Sequence, residues 1–88
     1  MNIPIIDVQA TGQNILNLRK QNGLSVSQLQ SMLGLSTRAI YQWQYGNYLP
    51  SVDNLLALSQ IFGVPMEQIL VYEYNDCDST RHNPLEEV

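Results

Sequence analysis

Leu24–Gly46 reads LSVSQLQSMLGLSTRAIYQWQYG, and its punctuation decides the fold. Ser25 precedes the helix-forming stretch Val26–Leu33, and Ser36 precedes Thr37–Tyr45. A serine hydroxyl there accepts from an N–H that the first helical turn leaves unpaired. Gly34 lies between the two stretches, where a glycine can adopt the left-handed backbone that stops one helix and reverses the chain within about three residues. The spacing therefore predicts two short helices joined by a tight turn, a helix-turn-helix.

The apolar residues agree with that geometry. Leu29, Leu33, Leu35, Ile40 and Trp43 can all face the angle between the helices. At about 100° per residue, Ile40 and Trp43 define the inner side of the second helix, with Ala39 and Gln44 flanking them. Arg38, Tyr41, Gln42 and Tyr45 fall on the opposite side, and Thr37 sits at the N-terminal end. This outer face is rich in hydrogen-bonding groups and holds no acid.

Working outward, further segments fall into a recognisable order. They are GQNILNLRKQNGLS from Gly12, LQSMLGLS from Leu29, S-x-x-x-I-x-x-W-x-x-G from Ser36 to Gly46, P-S-x-x-x-L-L-x-L from Pro50 to Leu58, and FGVPMEQIL from Phe62 to Leu70. In order and spacing the chain resembles the Cro/C1-type (XRE-like) helix-turn-helix DNA-binding domains from Gly12 to about Leu70. That resemblance implies an all-α, compact five-helix lambda-repressor-like bundle. It also implies a sequence-specific transcriptional regulator that sets Thr37–Tyr45 in the major groove of double-stranded DNA, working as a homodimer because one such helix covers a single half-site. Thr37, Arg38 and Gln42 occupy the positions from which the resembled family reads base edges. Arginine can address guanine and glutamine adenine, each contact worth about 1–3 kcal/mol of discrimination. Tyr41, Tyr45, Lys20 and Ser36 complete the expected contact set.

Three positions depart from the family pattern. An arginine at the Arg19 position commonly pairs there with a glutamate, whereas this chain has Gln44, so the expected contact is a hydrogen bond to a neutral amide. Val26 replaces a frequent glutamine and offers no side-chain donor to a phosphate. Gln30 replaces a frequent alanine, and must bend outward or widen the helix crossing.

Charge first argues against nucleic acid, because the 88 residues carry a formal net charge of −4. Its distribution argues otherwise. Residues 8–52 hold Arg19, Lys20 and Arg38 and no Asp or Glu, a local +3, whereas residues 53–88 hold seven acids against Arg81, a local −6; Asp7 supplies the remaining −1. The half with the helix-turn-helix is cationic, although a solvated face with chance spacing would read the same way.

The remaining chain sorts into three parts. Residues 1–7 are expected as an extended lead-in, since Pro4 disfavours helix at Ile3. The domain proper is expected over residues 8–71: a first helix from Val8 to Asn22 behind an Asp7 cap, with Ile15 and Leu18 inward; a fourth from Val52 to Phe62 behind Ser51, with Leu55, Leu56, Leu58, Ile61 and Phe62 inward; and a short fifth from Pro65 to about Val71. Residues 72–88, YEYNDCDSTRHNPLEEV, read as an acidic, flexible tail.

Other functional classes find little support. Cys77 and His82 are each the sole residue of their type, too few for a zinc site or a nucleophile with a positioned base, so neither a metal, a cofactor nor an enzymatic activity is expected. One cysteine suits a reducing compartment. No basic-plus-apolar leader and no apolar run of membrane-spanning length appears, so a soluble cytoplasmic protein is expected. A second reading is a protein-interaction module on the same scaffold, to which Tyr41, Tyr45 and Tyr48 would contribute an aromatic surface. The helical phase itself makes a prediction: Trp43→Ala should cost about 3–5 kcal/mol in unfolding free energy through lost burial and a cavity. A native indole fluorescence matching that of free tryptophan in water would overturn this phase.

Overall fold

The computed structural model describes residues 2–75, in which four of the five helices begin at a side-chain cap. Asp7 Oδ1 accepts from the Ala10 N–H at 3.0 Å and opens α1, Val8–Gln21. Ser25 opens α2, Val26–Leu33, with a reciprocal pair: its hydroxyl accepts from the Gln28 N–H at 3.0 Å, and its own N–H donates to Gln28 Oε1 at 2.8 Å. Ser36 and Ser51 open α3, Thr37–Gln44, and α4, Val52–Phe62. The short α5 is Met66–Ile69. Gly34, at φ 69°, adopts the left-handed conformation that the turn between α2 and α3 requires.

Ile15, Leu29, Ile40, Trp43, Leu55, Leu58, Phe62 and Ile69 form the core, with every helix contributing and α4 supplying three. Leu56 is an exception to the expected inner face, because it is 53% exposed. Leu55, Leu58 and Phe62 already complete a stripe at i, i+3 and i+7, which leaves Leu56 beside Val52 on the outer side of α4.

Two glycines set how closely α1 and α3 approach. A Cβ added at Gly12 would fall 1.9 Å from the Trp43 carbonyl oxygen, and one added at Gly46 would fall 2.8 Å from Gln9 Cα. Backbone therefore lies against backbone at both ends of this contact. Two turns along α1, Arg19 Nε donates to Gln44 Oε1 at 3.0 Å and Nη1 to the Leu24 carbonyl at 2.8 Å. The expected Arg19–Gln44 bond is present, and both acceptors are neutral.

The all-α expectation needs amending. Residues Ile3–Ile6 form β1 and Tyr72–Asn75 form β2, paired antiparallel with Ile3 opposite Asn75 and Ile6 opposite Tyr72. The pairing follows from how α1 holds the chain that leaves α5. Thr11 is fully buried, its hydroxyl donating to the Val71 carbonyl at 3.3 Å and accepting from the Val71 N–H at 2.9 Å. The Asp7 N–H donates to the same carbonyl at 2.8 Å. Asn14 Nδ2 donates to the carbonyls of Gln68 and Ile69, so α5 ends at Ile69 instead of running to Val71. Once Val71 is fixed beside Asp7, the flanking segments lie side by side and can pair.

Two substitutions test the α1–α3 contact. Gly12→Ala should destabilise the fold by about 3 kcal/mol by overpacking against an immovable carbonyl. It would be read as a lower urea midpoint at unchanged m-value. Gln44→Glu should stabilise it by about 1 kcal/mol, since a charge-assisted bond to Arg19 replaces a neutral one. That corresponds to a melting temperature about 4–8 °C higher; a fall in the midpoint would mean that burying the carboxylate costs more than the pair returns.

Candidate nucleic-acid interface

The core fixes which side of α3 faces out. Ile40 is fully buried and Trp43 and Gln44 nearly so, which anchors the inner side of the helix. Thr37, Arg38, Tyr41 and Tyr45 are exposed on the other side, and Gln42 is half-buried at its margin. The structure thus brings five of the seven expected contact residues onto one surface, in the angular order read from the sequence.

Each of the seven has a distinct setting. Ser36 is exposed at the start of α3, and its hydroxyl oxygen accepts from the Ala39 N–H at 3.3 Å. Arg38, exposed in the first turn, carries a fixed fork of N–H donors suited to a phosphate or the paired acceptors of guanine. The Tyr41 and Tyr45 rings stack with centroids 6.0 Å apart, one turn from each other along the helix. Stacking limits the rotamers of both side chains and leaves two phenol groups directed off the same face. Lys20 stands apart from this group, exposed in the last turn of α1, while its neighbour Arg19 turns inward to Gln44 and Leu24.

Gln42 is the most constrained of the set. Its side-chain oxygen accepts from Asn47 Nδ2 at 2.7 Å, and its main-chain carbonyl accepts from the Asn47 N–H at 3.0 Å. Asn47 reads in the sequence simply as a turn residue, and the contact was not legible there. The available signal was an amide residue directly after Gly46, whose φ of 80° folds the chain back over the end of α3. Tyr48, also in this turn, is 66% exposed.

The departures at α2 resolve as packing. Val26 lies against the hydrophobic core, and Gln30 is half-buried with the turn closed beside it. Pro4, Ile6, Glu67, Leu70, Tyr72 and Tyr74 line an open groove of about 290 Å³ that includes none of the α3 residues. Cys77 and His82, weighed above as site residues, lie outside the described residues.

Comparison with known proteins gives concordant results. The family model described as helix-turn-helix matches residues 15–69. A protein of Pyrococcus furiosus, named as a candidate HTH-type transcriptional regulatory protein, is 30% identical over 59 residues, which are 67% of this chain and 19% of that protein. A counterpart from Pyrococcus horikoshii is 27% identical over the same length. The chain thus spans about a fifth of the curated relatives it matches. Among solved structures, the restriction-modification controller protein C.AhdI from Aeromonas hydrophila superposes with a TM-score of 0.66 at 25% identity, covering 72% of this chain and 96% of that one. The S. venezulae BldD DNA-binding domain gives 0.64 at 21% identity, covering 74% and 97%, a likeness of fold.

Proposed function

We propose that this chain, which belongs to the helix-turn-helix family matched over residues 15–69, is a sequence-specific DNA-binding transcriptional regulator that lays α3 in the major groove. The observation that carries this reading is the division of α3 into two sides. Ile40, Trp43 and Gln44 hold one side in the core, and Thr37, Arg38, Tyr41, Gln42 and Tyr45 present hydrogen-bonding groups on the other, within a 45-residue span free of acids. A helix so held can enter a groove about 12 Å wide with its polar side towards the base edges.

The roles divide by position. Arg38 and Gln42 read bases, while Ser36, Lys20 and the tyrosine hydroxyls bond phosphates and fix the register without carrying sequence information. One α3 covers one half-site. A homodimer supplies the second about 34 Å away, one turn along the duplex, which makes a two-fold symmetric operator the natural target. The relatives named as transcriptional regulatory proteins agree with this role, and the proposal extends to a non-enzymatic regulator acting in the cytoplasm. No described helix is long and apolar enough to cross a membrane.

A second reading rests on one observation. Tyr45, Tyr48, Val52 and Leu56 are each more than half exposed and run from the end of α3 into α4. Such a surface fits a protein partner. The two readings separate in solution, since a protein-interaction module would not bind duplex DNA with a preferred sequence.

Substitutions distinguish reading from positioning. Arg38→Ala and Gln42→Ala should each reduce discrimination between a selected duplex and random duplex by about 1–3 kcal/mol. Lys20→Ala should weaken both complexes alike and lower the slope of log K against log salt by about 1. Selected-site binding untouched by both α3 substitutions would exclude major-groove reading by this helix.

A further inference from the structure

We infer that Asn47 is a positioning residue that sets which base Gln42 prefers, an inference that rests on the DNA-binding reading above. A glutamine amide is two-sided. Unconstrained, it matches adenine in the major groove, accepting from the N6 amino group and donating to N7. Here the accepting end is engaged, because Asn47 Nδ2 donates to Gln42 Oε1 at 2.7 Å. The contact is doubly tied, since the Asn47 N–H donates to the Gln42 carbonyl at 3.0 Å, and Gly46 at φ 80° holds the turn that allows both bonds.

With Oε1 turned to Asn47, Nε2 is the end left for a base edge. Its N–H groups need acceptors. Guanine offers N7 and O6 side by side and thymine offers O4, whereas cytosine presents only its N4 donor and adenine pairs one acceptor with a competing donor. Asn47 thereby shifts Gln42 from adenine towards guanine or thymine. It does so without touching the base, by fixing the amide before the duplex arrives and sparing the complex that ordering cost.

The rotation of the amide can be reversed chemically. In Asn47→Asp the carboxylate can only accept, so it takes an Nε2 hydrogen and turns Oε1 outward, replacing a donor with an acceptor at the groove. The experiment is selection from a pool of randomised duplexes by the full chain, for wild type, Asn47→Asp, Asn47→Ala and Gln42→Ala, followed by sequencing, with thermal melts of each protein. In wild type, guanine or thymine should be enriched at the position whose preference disappears in Gln42→Ala. Asn47→Asp should move that position about tenfold towards adenine or cytosine and leave the others unchanged, even if total affinity falls from the added negative charge. Asn47→Ala should move it towards adenine alone. Identical preferences in wild type and both Asn47 variants would overturn the inference while leaving DNA reading intact, as would a change spread evenly over all positions. A pool from which wild type enriches nothing would overturn the DNA-binding reading and this inference with it.

Discussion

The close approach of two helix backbones governs this molecule. At Gly12 and Gly46 any side chain beyond hydrogen would strike the opposing chain, and at Gly12 the obstacle is a carbonyl oxygen that cannot rotate away. Backbone contact of this kind fixes the separation of α1 and α3 more tightly than interdigitated side chains can. Arg19 then fixes the rotation. It reaches from two turns further along α1 to Gln44 on α3 and to the Leu24 carbonyl, tying both helices to the start of the helix-turn-helix. The outward direction of Arg38, Tyr41 and Gln42 is thus determined on the opposite side of the helix from where they act.

α1 does comparable service on another of its faces. Thr11 and Asn14, one turn apart, spend their side-chain hydrogen bonds on the backbone of Gln68, Ile69 and Val71. These carbonyls would otherwise be left by a four-residue helix too short to satisfy them itself. Among the described residues every buried side-chain nitrogen and oxygen has a partner. Thr11, Asn14 and Arg19 of α1 are therefore structural here, whereas Lys20 on the same helix is exposed.

What could be read from sequence was what depends on neighbours in sequence. Serines before Val26, Thr37 and Val52 mark helix starts because a cap spans three residues, and the i, i+3 placement of Ile40 and Trp43 fixes a helical phase. The Arg19–Gln44 bond was legible through the family resemblance and the helical wheel together. Features set by distant partners were not. Leu56 looks inward until the width of the core stripe is known, and Thr11 looks like an ordinary surface threonine until Val71 is placed over it. Tyr72–Asn75 begins a segment whose composition suggests a solvated tail, and only its partner Ile3–Ile6, which itself contains a proline, makes it a strand. At the candidate interface the residues on α3 were legible by periodicity, but the bond from Asn47 was not, because it depends on the backbone angle at Gly46.

The β1–β2 ribbon has a consequence for how the molecule forms and breathes. Ile3 and Asn75 are joined across nearly the whole described chain, so bringing them together carries a loop-closure cost of about 4 kcal/mol unless the helices between them have already assembled. Closing the ribbon after α1 has captured Val71 avoids most of that cost. By the same reasoning it is the first element to open under native conditions, and its amide hydrogens should exchange with solvent well before those of α1 and α3. Opening there releases Ile3–Ile6 from Tyr72–Asn75 while leaving the core and the outward face of α3 in place.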